Sequence, residues 1–388
     1  MAPASCESEI SKASHEIAAG KDRGSTALRG IGCGKLLAGG LGFVLLTVGI
    51  FWYQFHRIQV ADATPRWAQL QWGYLFLILL CLPVETVASS LRVWLICRVL
   101  QPGVGLWTCF KAEWANVAIA MLTPSQSGGG PGQIYLLNRG GASVGTALTV
   151  CLLSFLGTMV GLFCMGMYSL LVSGLAHTGP LFATATWTIL SISAAMFLAA
   201  LWPGFFRFVL LAFSQTISRD DGIRLHPHGC RFHGDVRTGS AVNRVDVLTA
   251  KLIDIIYTYR DDVLRFLRTG KATFAWVCLL SLAFLCSRAL IPYLCLRFLG
   301  VNTSRFRQVV EAQVALIFLV FFAPTPGGAG VAEAVSLSIM DVYVPVGFVP
   351  YYTLLWRFLT LYLTAFAGLF CLAHALIKDG RQVVRRIR

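Results

Sequence analysis

Charged side chains set in apolar sequence mark where chemistry can sit in this chain. Glu85, Arg92, Arg288, Glu333 and Arg357 fall inside long apolar runs. Glu113, Asn138, Arg139 and Glu311 lie on or beside two Pro/Gly-rich interruptions. A charge at the centre of a bilayer costs at least about 2.5 kcal/mol on insertion scales, so such a residue is held there by a partner or by a task. Arginine presents a planar fork that meets a phosphate with two parallel hydrogen bonds. A helix start after a glycine break offers free N–H groups and a positive dipole end to the same kind of anion. Recognition of an anionic group is therefore one reading of these residues, and structural ion pairing within a helix bundle is the other. Glu85 and Arg92 are seven apart and share a helix face. Glu333 follows Gly330 by one turn, near a helix start, where its charge is favoured.

The two interruptions read TPSQSGGGPGQIYLLNRGG (residues 123–141) and FFAPTPGGAGVAEA (residues 321–334). The candidate binding positions are Gln126, Gly128, Gly129, Gly130, Gln133, Asn138 and Arg139 in the first, and Pro326, Gly327, Gly328, Gly330 and Glu333 in the second. Arg288 and Arg357 join them from neighbouring apolar runs. Glu85, Arg92, Glu113 and Glu311 are candidates for coupling or structural charge. Gln126, Gln133 and Gln313 either line a polar path or satisfy broken backbone.

The elements that must position these residues are membrane helices. The chain has 388 residues, of which 56% are hydrophobic and 13% charged, about half the charge of a soluble domain. Several apolar runs exceed the roughly 20 residues that cross a bilayer. Six spans are expected, at 35–55, 70–98, 144–172, 181–213, 274–299 and 348–377. A signal peptide ending near Ala61-Asp62-Ala63 is the competing reading of the first, but its leading segment is too long. Residues 1–34 read as a disordered cytoplasmic tail, 35–377 as one transmembrane domain, and 378–388 as a basic cytoplasmic tail. Residues 214–273 form the large hydrophilic loop, and its second part has apolar residues at helical spacing, predicting an amphipathic helix on the membrane surface or against the bundle. The net charge of +14 follows the positive-inside rule, which places both termini and this loop in the cytoplasm; Arg297, Arg305 and Arg307 fall on the other side. The basic residues are scattered rather than gathered in a patch, which excludes nucleic acid as a partner.

Two segments, 108–141 and 307–343, are too short and too interrupted to be spans. Each is a half-length apolar helix, a Pro/Gly break and a second short helix. FKAEWANVAIAMLTPSQSGGGPGQ and FRQVVEAQVALIFLVFFAPTPGGAG resemble each other at an offset of about 200 residues, with Glu113 and Glu311 as early carboxylates. Three spans separate them, so the repeat is inverted and the hairpins enter from opposite sides. Broken helices at matching positions of inverted repeats point to a transporter's binding site; hinges or tight surface loops are the bland alternative.

Catalytic signals are absent. GGGPGQ lacks the Lys-Ser/Thr of a P-loop, and no nucleophile elbow or metalloprotease motif is present. Most of the twelve cysteines lie in apolar runs and act as small hydrophobes. His226, His228, Cys230 and His233 could hold zinc, but a solvated loop is the preferred reading. No metal or cofactor is expected.

The first interruption, continued to TPSQSGGGPGQIYLLNRGGASVGTAL, and PTPGGAGVAEA followed by YYTLLWRFLTLYLTAFAGL resemble the lysylphosphatidylglycerol synthase transmembrane region, a flippase-like membrane family, over residues 35–377. The more specific part is Pro-Thr-Pro-Gly-Gly-x-Gly-x-x-Glu with the Tyr352–Arg357 stretch after it. In the bacterial enzyme such a region is fused to a soluble aminoacyl-transferase domain and is held to move the modified lipid across the bilayer. This chain ends at Arg388 without room for that domain, so the resemblance implies lipid translocation rather than lysyl transfer. The expectation is an all-α membrane lipid translocase, not an enzyme, in the cell membrane. It would take an anionic phospholipid or a polyprenyl-phosphate-linked lipid. Arg139, Arg288 and Arg357, with the glycine breaks, would hold the phosphate. The alternative is a membrane-embedded enzyme or accessory subunit of a lipid-linked glycan or lipid-modification pathway. Expected partners are membrane lipids, with a lipid-modifying enzyme or further copies of the chain as additional candidates.

Overall fold

The computed structural model describes residues 69–123, 128–173, 244–302, 305–321, 323–340, 343–345 and 348–387, together with single residues within 41–56 and 184–195. The expected tail at 1–34, most of the spans expected at 35–55 and 181–213, Gln126, and the His226/His228/Cys230/His233 cluster lie outside these residues. Among the described residues the chain is helical and without strands. The helices are α1 (Trp72–Leu100), α2 (Leu106–Leu122), α3 (Gly129–Arg139), α4 (Val144–Ser173), α5 (Arg244–Thr269), α6 (Lys271–Phe298), α7 (Phe306–Phe321), α8 (Val331–Met340), α9 (Val349–Arg357) and α10 (Leu363–Ile387), with a π-helical turn at Phe358–Tyr362 between the last two.

Among the described residues, four stretches are long and apolar enough to cross a membrane: Trp72–Leu100, Val144–Tyr168, Lys271–Phe298 and Val349–Asp379. They coincide with four of the six expected spans. A helix of 29 residues such as α1 is about 43 Å long, which covers the roughly 30 Å hydrocarbon core with turns to spare. Large apolar side chains remain exposed along α1 (Phe76, Leu80, Val84), α6 (Trp276, Leu279) and α10 (Phe366, Phe370). A water-soluble surface would not carry such a set; a lipid-facing one does.

α1 and α6 pack antiparallel and form the central pair. The Gln71 amide donates to the Phe298 carbonyl at 2.9 Å at one end. Arg92 reaches Ser281 toward the other. Between them the Ser287 hydroxyl donates to the Cys81 carbonyl at 3.0 Å, in the stretch of α1 where Pro83 removes a backbone donor. Because the two helices run in opposite directions, the segments that follow them leave from opposite ends of the molecule. α2 and α3 follow α1, and α7 and α8 follow α6. The two largest core clusters divide accordingly. One cluster gathers Val93, Ile96, Ala112, Ala115, Leu137 and Val150 around the first hairpin. The other gathers Ile291, Leu294, Leu316, Met340, Tyr352 and Trp356 around the second.

α5, the expected amphipathic helix, packs on the start of α4. Thr146 donates to Asp262 at 2.6 Å, and Gly145 lies under Ile255 and Thr258. Leu264 and Leu267 stay exposed beside it. Burial pushes the Tyr259 phenol up to about 12, so it stays neutral and its ring serves packing. The segment expected as a tail from residue 378 continues α10 as helix as far as Ile387.

α10 also crosses α2 at close range. Gly368 sits against the Trp114 carbonyl and the Ala118 side chain, and a Cβ there would collide with that carbonyl. Gly368→Ala must therefore push the two helices apart, at a cost of about 1–3 kcal/mol or more. Thermal unfolding of the detergent-solubilised protein should shift down by several degrees, whereas Gly73→Ala, whose Cβ meets nothing within 4 Å, should leave the midpoint in place.

Candidate functional site

Both interruptions are helix–break–helix hairpins. In the first, α2 and α3 lie antiparallel along their whole length: Gly128 is against Thr123, Gly132 against Ala115 and Ile119, and Gly140 against Thr108. Glycine is required where α3 presses on α2, since a Cβ at Gly129 would strike the Asn116 carboxamide. The Thr123 hydroxyl accepts from the Gly128 amide at 2.9 Å and donates to the Ile119 carbonyl at 3.0 Å, joining the two helix ends. Pro131 in the first turn of α3 has no N–H to leave unpaired there.

The second hairpin turns through Gly327, Gly328 and Gly330, with φ of 57°, 67° and 85°. Only glycine adopts such angles at no steric cost. Glu333, in the first turn of α8, reaches back so that one oxygen accepts from the Gly330 amide at 2.6 Å, the acidic half of a capping box. Its other oxygen accepts from Arg357 Nε at 2.9 Å. The two terminal nitrogens of Arg357 donate to the Gly327 and Gly328 carbonyls, each at 3.2 Å. Glu333 is 0% and Arg357 3% exposed, so this pair is dry. Arg357 thereby spends its fork on the chain's own backbone and carboxylate. The loop that sequence alone offers to a phosphate already has its cation and its anion.

A second buried network runs through the first hairpin. Arg92 on α1 donates from one terminal nitrogen to the hydroxyls of Thr158 on α4, at 2.6 Å, and Ser281 on α6, at 3.3 Å. Its other terminal nitrogen is 3.8 Å from Glu113 on α2, too long for a hydrogen bond. Glu113 accepts instead from the Gln133 carboxamide at 3.2 Å. The oxygen of that carboxamide accepts from Asn116 and from the Cys151 thiol, at 3.4 and 3.3 Å. Arg92 and Glu113 are 7% and 5% exposed, yet Arg92 Nε has no partner among the described residues. Five helices meet at this one network.

The remaining candidates are spread out. Arg288 pairs with Glu85 at 3.6 Å across the α1–α6 contact, so Glu85 and Arg92, which share a face, take partners on other helices. The Phe284 ring lies under both arginines, 5.2 Å from Arg92 and 5.7 Å from Arg288. Arg139 pairs with Asp379 of α10 at 2.9 Å, and Asn138 donates to the Ala142 carbonyl. Both sit at the far end of α3, about 15 Å along the helix from Gly129. The three arginines expected around one phosphate thus stand in three separate ion pairs. Glu311 pairs with Arg307 one turn back on its own helix. The position equivalent to Glu113, eighth in its helix, is Gln313, which donates to the Tyr352 hydroxyl at 3.1 Å.

Sequence reasoning missed Thr158, Ser281, Asn116 and Cys151 as members of the Arg92 network, and Asp379 as the partner of Arg139. Hydroxyls and thiols are ordinary in membrane helices, and nothing in their spacing singled these out. Asp379 was hidden in a segment read by its charge as a tail.

Removing Arg357 leaves Glu333 buried without a counter-charge, which costs about 3–5 kcal/mol. Arg357→Ala should therefore abolish the folded monodisperse fraction in detergent or lower its melting point sharply. Arg357→Met combined with Glu333→Gln should recover part of that loss, because the carboxamide oxygen still accepts from Gly330 and carries no charge. A double variant as unstable as the single one would show that the glycine carbonyls, not the pair, dominate.

With this geometry in place, comparison with known proteins gives the context. The family described as the lysylphosphatidylglycerol synthase TM region matches residues 38–368, a segment that contains both hairpins and the α1–α6 pair. The chain is also 21% identical over 291 residues to a UPF0104 membrane protein of Archaeoglobus fulgidus, which covers 75% of this chain and 83% of that protein. It is a multi-pass membrane protein that belongs to the family of the lysylphosphatidylglycerol synthase TM region.

Proposed function

We propose that the chain is a flippase-like lipid translocase that moves lipids with anionic headgroups, phospholipid or polyprenyl phosphate, across the cell membrane. The observation that carries this reading is the pair of broken hairpins attached to opposite ends of the α1–α6 pair. Non-helical backbone at membrane depth is tolerated where it is buried in protein or faces a wet cavity. Broken helices in corresponding positions of two halves are how transporters of several folds build a midplane site. In this reading the six spans form an inverted repeat, the hairpins are re-entrant, and both termini are cytoplasmic.

The headgroup would meet the hairpin breaks, at Gln126 and Gly128 to Gly130 on one side and Pro326 to Gly330 on the other. Acyl chains would stay in the bilayer, against the exposed apolar faces of α1, α6 and α10. Arg139, Arg288 and Arg357 are each matched by a carboxylate, so their contribution is to hold the hairpins and the central pair in place. Among the described residues, Arg92 is the buried arginine that keeps a donor without a partner, and it is the one that would accept an anion.

The test is reconstitution. Liposomes containing the purified chain should move fluorescent phosphatidylglycerol from the inner to the outer leaflet several-fold faster than protein-free liposomes, read by dithionite quenching, and Arg92→Met combined with Glu113→Gln, which leaves no charge buried alone, should reduce that rate toward the protein-free value. No acceleration of either phosphatidylglycerol or a labelled polyprenyl phosphate would overturn the translocase reading. Chemical turnover of the lipid by the purified chain would instead favour an enzyme.

A further inference from the structure

We infer that Glu113 is a proton-exchanging carboxylate that competes with an anionic phosphate group for Arg92, so that binding of the anion takes up a proton. This rests on the translocase reading for the identity of the anion, but the exchange itself rests on geometry. The two buried Arg–Glu pairs are built differently. Arg357 and Glu333 make a direct hydrogen bond of 2.9 Å, and every nitrogen of that guanidinium is engaged. Arg92 is oriented by two neutral hydroxyls from α4 and α6, stands 3.8 Å from Glu113, and keeps a buried Nε–H without an acceptor. A guanidinium held in place by groups other than its counter-ion can exchange that counter-ion without moving. A fork with an open donor can bond a second oxygen of an incoming phosphate.

The carboxylate side is equally suited. Glu113 is in the middle of α2, away from any helix end, and its hydrogen bonds come from Gln133 and Asn116, both neutral groups. The groups facing it can be named. Arg92 comes from α1, with Cys97 beside Cys109. Gln133 comes from α3, whose charged residue Arg139 is bound to Asp379 at the other end. Cys151 comes from α4. On α2 itself Cys109 is one turn back, and Lys111 stacks over Trp107 with Cys371 of α10 near it. From α6 come Ser281 and, beyond the Phe284 ring, Arg288 in its pair with Glu85. Arg92 is thus the cation that balances Glu113. When a phosphate oxygen occupies Arg92, the Glu113 carboxylate faces an anion in a dry site. It then relieves its charge by taking a proton from solvent onto a carboxyl oxygen. Release of the anion returns the proton and restores the pair. Anion affinity accordingly rises as pH falls, and each binding event takes up as much as one proton.

Two measurements test this on the full chain. The infrared difference between wild type and Glu113→Gln, each titrated without added lipid, should contain a protonated-carboxyl band that grows as pH falls; a difference spectrum without a titrating band overturns the exchange. Calorimetric titration with short-chain phosphatidylglycerol, repeated in two buffers of different ionisation enthalpy, should give uptake approaching one proton per lipid in the wild type. Glu113→Gln should bind the lipid with no buffer dependence. Buffer-independent binding by the wild type overturns the competition. Inorganic phosphate in place of the lipid identifies the source of the anion: equal affinity and proton uptake would make free phosphate the ligand and overturn the headgroup assignment. If the carboxyl band titrates as expected but neither anion binds, the translocase reading fails and the competition with it, while the titrating carboxyl stands.

Discussion

A charge or an open backbone group buried in a membrane survives only if protein supplies what water would have given. The bond between Glu333 and Arg357 meets that constraint at the buried turn of the second hairpin, where backbone groups are left open. Three glycines with left-handed backbone reverse the chain between α7 and α8 and leave carbonyls and an amide without helical partners. One carboxylate takes the amide, one guanidinium takes two carbonyls, and the two neutralise each other. Arg357 is also the last residue of α9, immediately before the π-helical turn. The same side chain therefore ties the hairpin to the span that follows it. Without this pair neither the break nor its place beside α9 could be kept dry.

The two halves use similar parts in exchanged positions. At an offset of about 200 residues, Glu113 corresponds to Gln313 and Gln133 to Glu333. At these two positions each hairpin holds one carboxylate and one carboxamide, but on opposite helices. In the second half the carboxylate falls in the first turn of α8, where free amide groups and the helix dipole favour it. In the first half it falls in the middle of α2, where no free amide can reach it. Its cation comes from the neighbouring span instead, already shared with two hydroxyls. Moving the carboxylate from one helix of the hairpin to the other thus separates a directly bonded clamp at 2.9 Å from a pair held 3.8 Å apart.

The sequence made the large features legible because their signals are local. Apolar length located the four spans that the structure describes, and Pro/Gly clusters located both breaks. The intramembrane charges were identifiable one by one. Their partners were not, because pairing depends on which helices meet. Glu85 and Arg92 share a face of α1, yet one turns to α6 and the other to α2. Glu311 looked like the repeat of Glu113, but it is sixth rather than eighth in its helix and pairs with Arg307. Arg139 looked like part of the glycine loop because only a few residues separate them. As helix, those residues carry it to the far end of α3, where Asp379 waits on a segment whose basic composition suggested a tail.

On the translocase reading, the polar interior and the apolar exterior together would let the molecule handle a lipid without enclosing it. Exposed side chains such as Phe76, Leu80 and Val84 on α1, and Phe366 and Phe370 on α10, offer acyl chains a surface like the bilayer itself. No free energy is gained or lost there as a lipid moves past. The barrier lies in the headgroup, and a phosphate crossing the hydrocarbon core needs a cation that is fixed in place and not already neutralised beyond exchange. Of the buried arginines, Arg357 fails the second condition through its 2.9 Å bond and two carbonyls, whereas Arg92 meets both through its hydroxyl supports and its open donor. Through Thr158 and Ser281 it also links the first hairpin to α4 and to α6, the helix that leads into the second hairpin. A change of counter-ion at Arg92 is therefore made at a point where both halves of the molecule are in contact.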